Sequence, residues 1–252
     1  MTSLHALIQT LDDWMKPELL KDYAPNGLQV EGRDTISRLA LGVTASADVI
    51  QQAVAWGADA LLVHHGYFWR NEPPVLTGMK GQRVRALMNH QMSLIAYHLP
   101  LDCHAEFGNN KALLDQLGLV GGQPIAEENG LLWSVPLPNA MTIDQLASQV
   151  QSALGRAPMV IESSRGSETL SRLVVCTGGA QDYLTKALYY GADVYLSGEI
   201  SERTTHEARE LGVHYIAAGH HATERYGIQA LGQKLASTLG VDVAFFDDHN
   251  PA

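Results

Sequence analysis

The chain has 252 residues, 46% of them hydrophobic and 17% charged, which gives enough core for one large domain or two small ones and excludes a disordered, highly charged tail. Its net charge of −10 disfavours a protein that tracks nucleic-acid phosphates, so no nucleic-acid partner is expected. No apolar run approaches the roughly 18–20 residues that span a bilayer, and Met1-Thr2-Ser3-Leu4-His5 shows no signal-peptide pattern, so no membrane is expected and the expected compartment is the cytoplasm.

In chain order, Leu4, Leu7, Ile8, Leu11, Trp14 and Met15 recur at helical spacing until Pro17. Asn26 to Gly32 reads as a short strand between turns. A strand from Arg38 to Val43, a helix from Ala47 to Trp56 stopped by Gly57, and a strand from Ala60 to Val63 follow. After a loop with Pro73, Pro74 and Gly78 come a helix marked by Val84, Leu87 and Met88, a strand from Ser93 to Tyr97, and a helix from about Asn110 to Leu117. Strand-helix alternation of this kind predicts an α/β architecture with mostly parallel strands. Residues 120–168 are richer in Gly, Pro, Ser and Glu and read as a connector, with a capping box at Thr142 to Gln145 opening one helix.

The second half echoes the first. Residues 38–65 and 172–199 align without a gap and share eight identities in 28, where composition alone gives roughly two. The identical positions include Arg38/Arg172, Asp48/Asp182, Gly57/Gly191 and Asp59/Asp193. Leu94-Ile95-Ala96-Tyr97 resembles Tyr215-Ile216-Ala217-Ala218, at a different offset, 121 rather than 134. The expectation is two related α/β lobes from a degenerate internal duplication. A first lobe spans 1–122, a connector 123–168 and a second lobe 169–252, with a metal site between the lobes at the C-terminal ends of strands, where open α/β sheets bind ligands.

Three His/carboxylate clusters follow predicted strands: His64-His65-Gly66, His98-Leu99-Pro100-Leu101-Asp102-Cys103-His104, and Gly219-His220-His221-Ala222-Thr223-Glu224. Adjacent strand residues point to opposite faces, so His64 and His65 can serve one compact site only where the strand has ended. Pro100 is expected to prevent a regular helix or strand, letting residues 98, 102 and 104 converge. Taken singly, each cluster also suits a hydrogen-bonded loop or an ordinary helix start. Together, His64, His65, Asp102, His220 and Glu224 make five candidate ligands, with His98 a sixth. Imidazole and carboxylate without thiolate suit divalent Zn, Mn, Fe, Co or Ni. Five ligands exceed the three that one catalytic zinc keeps, and fit two divalent ions bridged by a carboxylate and a water.

The same clusters, with Asn26-Gly27-Leu28-Gln29-Val30, resemble the motifs of the NIF-three-like family over essentially the whole chain. The resemblance implies a dinuclear metal centre on His64, His65, Asp102, His220 and Glu224 with His98 close by, and a homo-oligomer, a toroidal hexamer built as a trimer of dimers. The expected activity is metal-dependent hydrolysis of a cyclic or nucleotide-like small molecule by a metal-bridging water. In that scheme Glu224 bridges the ions, His64 and His220 lean to one, His65 and Asp102 to the other, and His98 or His104 moves a proton. The alternative is a non-enzymatic, ring-shaped metalloprotein scaffold for protein or nucleic-acid partners. Tyr67-Phe68-Trp69-Arg70 is read either as a site that stacks a flat ring and holds an anion or as a packed loop or oligomer contact. Glu199 stands where the repeat has His65, with core or supporting duty as open readings. Gly178-Gly179 reads as a turn.

Overall fold

The computed structural model describes residues 1–252, the side chains at 138–140 excepted. The chain divides into two compact units, 1–101 with 228–249, and 102–227 with 250–252.

Unit 1 opens with β1 (Thr2–Ser3) and α1 (Leu4–Met15). The Ser3 hydroxyl accepts from the Ala6 N–H and caps α1, which buries Leu4, Leu7, Leu11 and Met15 and ends at Lys16 in the left-handed region. Then come β2 (Gly27–Val30), β3 (Thr35–Ile36), β4 (Arg38–Thr44), α2 (Ala47–Trp56), β5 (Ala60–His65), α3 (Gly78–Asn89) and β6 (Ser93–Ala96). β5 opens Ala-Leu-Leu-Val and is fully buried on both faces there, each leucine contributing about 1.5–3 kcal/mol. The strand runs two residues beyond the predicted Val63, because Thr44 of β4 still pairs in register with His65.

The chain enters unit 2 within α4 (Leu99–Cys103), a short helix where none was expected. Pro100 is its second residue, and the first turn of a helix needs no proline N–H. Unit 2 continues with α5 (Asn109–Gln116), β7 (Gln123–Pro124), β8 (Trp133–Met141), α6 (Ile143–Leu154), β9 (Met159–Ile161), β10 (Leu170–Cys176), α7 (Leu184–Tyr189), β11 (Val194–Ser197), α8 (Glu202–Leu211) and β12 (His214–Ala217). Then α9 (His220–Leu239) carries the chain back to unit 1, which β13 (Asp242–Phe245) completes.

Unit 1 holds a five-stranded sheet in the order β13-β4-β5-β6-β2, with β2 antiparallel and the others parallel. Unit 2 holds a six-stranded sheet, β7-β8-β10-β11-β12-β9, parallel only across β10, β11 and β12. The stretch 123–168, read as a connector, supplies β8 and β9 to this sheet, and Trp133 and Val135 of β8 are core residues. Pro124 lies in β7 and Pro136 in β8, where it pairs with Arg172, so this stretch builds the sheet rather than spacing two lobes apart.

The repeat is built into the hydrogen bonds. Asp59 Oδ2 accepts from the Ser37 and Arg38 N–H groups, and Asp193 Oδ2 from the Ser171 and Arg172 N–H groups. Leu39 pairs with Ala60 as Leu173 pairs with Val194, and Ala60 with Ser93 as Val194 with His214. Each parallel trio carries one antiparallel edge strand, β2 or β9, beside its last member. One difference is local: Ser46 caps α2, whereas Ala180 offers no side-chain acceptor and its helix begins with a 3-10 turn, Gln181–Tyr183.

Candidate metal centre

Unit 1 gathers three imidazoles at the ends of β5 and β6. His64, His65 and His98 each offer a ring nitrogen, and these atoms lie within 4.8 Å of one another. His64 is fully buried, and its Nδ1 lies 3.0 Å from the Tyr97 carbonyl oxygen. A carbonyl only accepts, so Nδ1 carries the proton and the lone pair sits on Nε2. His98 is held in the same manner, its Nδ1 2.8 Å from Asp22 Oδ1, and His65 Nδ1 lies 3.2 Å from the Thr44 hydroxyl. Asp22 also accepts from Asn26 Nδ2 and the Leu99 N–H. Burial alone would raise the Asp22 carboxyl, but the His98 interaction and these hydrogen bonds bring it down to about 2. Bonding one imidazole nitrogen so that the other is aimed at a cation is the usual way proteins orient metal-ligating histidines.

Local sequence explains how the cluster is held. Asn26 Oδ1 accepts from the His98 N–H, and the Gln29 side chain bonds both the N–H and the carbonyl of Tyr67. A Cβ at Gly66 would come within 2.2 Å of Gln29 Oε1, so glycine is required there. The Asn26 to Val30 motif thus braces both loops that carry the histidines. Trp69 presents its edge to His98 at 4.9 Å, and the Tyr23 ring lies 5.5 Å from His98. Arg70, which is exposed, donates to the Asp22 carbonyl, and the buried Tyr67 donates its hydroxyl to the Ala45 carbonyl.

Unit 2 gathers carboxylates around one imidazole. His220 Nε2 lies 3.3 Å from Glu224 Oε2, one helical turn on, and its Nδ1 lies 2.6 Å from Glu199 Oε1. Burial pushes the His220 imidazolium down in pKa, but the two carboxylates outweigh it and raise it to about 9. The ligand oxygens of Asp102 and Glu224 lie within 4.8 Å of each other, and both residues are buried. Asn109 Nδ2 donates to Asp102 Oδ1 at 2.8 Å. Thr223 accepts from the Gly178 N–H and donates to the His220 carbonyl, tying the first turn of α9 to that glycine. Gly178 has φ +70°, and a Cβ there would lie 2.1 Å from Glu224 Oε1. It is therefore more than a turn: it makes room for the carboxylate. This donor set, imidazoles in unit 1 and buried carboxylates with an imidazole in unit 2, fits hard-to-borderline divalent ions.

His104 falls outside both clusters. Its Nδ1 accepts from the Glu106 and Phe107 N–H groups, and its ring stacks on Phe107 at 3.6 Å. It caps a turn through Nδ1. Asp22, Asn109 and Asn110 were not singled out in the sequence, because nothing local marks them. Asn110 Oδ1 accepts from the Thr177 N–H, a contact that sequence spacing does not announce. Glu199 had a signal, its place opposite His65 in the repeat.

The Duf34/NIF3 (NGG1p interacting factor 3) family model matches residues 2–251. A curated relative from Allochromatium vinosum, named "GTP cyclohydrolase 1 type 2 homolog", is 51% identical over 252 residues, covering 100% of this chain and 98% of the relative. Among solved structures, one described as "protein ybgI, unknown function" shares 43% identity, with a TM-score of 0.95 over 100% of both chains. One from Thermus thermophilus shares 30% identity, with a TM-score of 0.90 over 100% of both. Among the described residues no helix is long and apolar enough to cross a membrane.

Proposed function

Because the chain belongs to the Duf34/NIF3 family, we propose that it is a metal-dependent hydrolase holding two divalent ions on His64, His65, Asp102, His220 and Glu224. The observation that carries this reading is the orientation of the imidazoles: His64, His98 and His220 each have Nδ1 engaged by an oxygen, from Tyr97, Asp22 and Glu199. When bound, such a pair of ions supplies an activated water and polarises the scissile group. The buried Glu224 is the carboxylate that offsets repulsion between two cations. His98, paired with Asp22, is the group that moves a proton on a cyclic or nucleotide-like substrate. The name of the relatives, "GTP cyclohydrolase 1 type 2 homolog", supports the same substrate class. The toroidal hexamer belongs to the proposal and rests on the family resemblance.

Elemental analysis after metal saturation and desalting tests the centre, with two ions per chain expected. A stoichiometry of one or below overturns the dinuclear reading. Because Glu224 and Glu199 raise the His220 imidazole to about 9, metal uptake at His220 should also release protons into weakly buffered solution. A screen of nucleotides, phosphoesters and cyclic amides tests the activity, and absence of metal-dependent turnover across it favours a ring-shaped scaffold. Mass measurement in solution tests the hexamer.

A further inference from the structure

Unit 2 contains a cavity of ≈ 580 Å³ to which no role has been given above. Its lining includes Arg156, Glu199 and Gly219, with Pro158, Met159 and Ile200 as apolar wall. Glu199 is the carboxylate that holds His220 Nδ1, so the cavity opens beside a proposed metal ligand. Arg156 follows Gly155, whose φ of +72° ends α6 and turns the chain towards β9. The guanidinium rests on the backbone of Gly219, where a Cβ would come within 2.4 Å of Arg156 Nη1. Gly219 has φ +101°, a conformation that L side chains rarely adopt, so the glycine before His220 serves both the backbone and the seat of the guanidinium.

Among the described residues no carboxylate side chain pairs with Arg156. Its Nη1 instead donates to the Ala252 oxygen at 3.4 Å, and the His221 N–H, in the first turn of α9, donates to the same oxygen at 3.3 Å. Two donors from different elements thus converge on the oxygen of Ala252, itself part of the cavity lining, and an incoming anion would take its place on them. A planar guanidinium with a backbone N–H beside it suits a group that presents several acceptor oxygens.

We propose that this cavity binds the anionic end of the ligand, a phosphate or carboxylate group, with Arg156 as its anchor. The apolar wall takes the ligand's carbon skeleton, and Glu199 opposes a second anion, so the ligand has one orientation. The reading rests on the metal centre proposed above only for what happens at the ligand's other end, which this anchoring lays alongside His220.

Titration calorimetry with inorganic phosphate and with acetate tests the site. It uses the whole protein, both metal-loaded and after chelation and desalting, so that coordination to a metal is not mistaken for the anchor. The chelated protein should bind at least one probe. Arg156→Gln should weaken that binding about 10- to 100-fold, the range expected for loss of charged hydrogen bonds. Arg156→Lys, which keeps the charge and loses the fork, should fall between. Met159→Glu, at an exposed position on the rim, should weaken binding without touching Arg156. Metal content and melting temperature should be unchanged in all three. Whichever probe depends on Arg156 identifies the group as phosphate or carboxylate. Equal binding by Arg156→Gln and the unmodified protein overturns the proposal, as does failure of the chelated protein to bind either probe. If Arg156-dependent binding persists in a protein that takes up no metal, the metal reading fails alone. If metal is taken up and Arg156→Gln changes nothing, the anion site fails alone.

Discussion

Thr44 and Gly178 hold the same place in the repeat, at or just past the end of β4 and β10, and they do opposite things. Thr44 presents a hydroxyl to His65 Nδ1, whereas Gly178 presents nothing, and the space it leaves admits Glu224. One strand further along, His65 of unit 1 is matched by Glu199 of unit 2. The shared parts are those that hold a strand to its neighbour: Asp59 and Asp193 each clamp the same two backbone N–H groups. The parts that differ lie at strand C-termini, where His65, still paired with Thr44, stands in unit 1 and Glu199 in unit 2. Unit 1 gathers three imidazoles and unit 2 carboxylates around one imidazole, so a duplicated scaffold yields two different donor sets.

The largest effect expected from breaking this asymmetry is at Glu224. Glu224→Gln keeps the size and removes the charge of a buried carboxylate, and should take the protein from two ions to one or fewer per chain, by elemental analysis. Full metal content in that variant would remove Glu224 from the ligand set.

A sharper comparison sets the two orienting carboxylates against each other. Asp22→Asn acts on His98 in unit 1 and Glu199→Gln on His220 in unit 2. Loss of such supporting groups costs about 10- to 100-fold in metal affinity. Competition with a chromophoric chelator should show Glu199→Gln in that range and Asp22→Asn at or below it, because His98 stands beside the ligands in the proposed scheme. An inert Glu199→Gln would mean that the short contact to His220 does not orient it.

The shared clamp gives a stability test. Asp59→Asn and Asp193→Asn each weaken charge-assisted hydrogen bonds to two backbone N–H groups, worth about 1–3 kcal/mol. Asp59 is the more buried and also bonds Arg33, so its substitution should lower the denaturation midpoint more. The reverse order would show that the two clamps are not equivalent. The smallest effect belongs to His104→Gln, which should leave metal content and any turnover unchanged and cost about 1 kcal/mol or less for the lost turn cap. A fall in turnover at constant metal would restore His104 to the chemistry.

Much of this was legible in the chain. The helix Ala47–Trp56, its Gly57 stop and the repeat at Asp59 and Asp193 follow from periodicity and punctuation, which are local. The candidate ligands were legible because His and carboxylate cluster just past apolar strands. The extent of β5 was not, since polar histidines give no strand signal while the parallel register with Thr44 carries them along. The strands β8 and β9 were hidden for a related reason: proline within β8 and glycine between the elements read as a linker until the partner strands are present.

By itself, then, the sequence determined the α/β class, the internal repeat and which residue types gather at strand ends. These depend on side-chain period and composition within short windows. Only the tertiary structure decided that Asp22 reaches His98, that Glu199 reaches His220, that Gly178 clears space for Glu224 and that His104 turns to its own backbone. Three of those pairings join residues far apart in the chain, and the fourth depends on a rotamer. Contacts of both kinds are set by packing, in which neighbours distant in sequence compete for the same few ångströms.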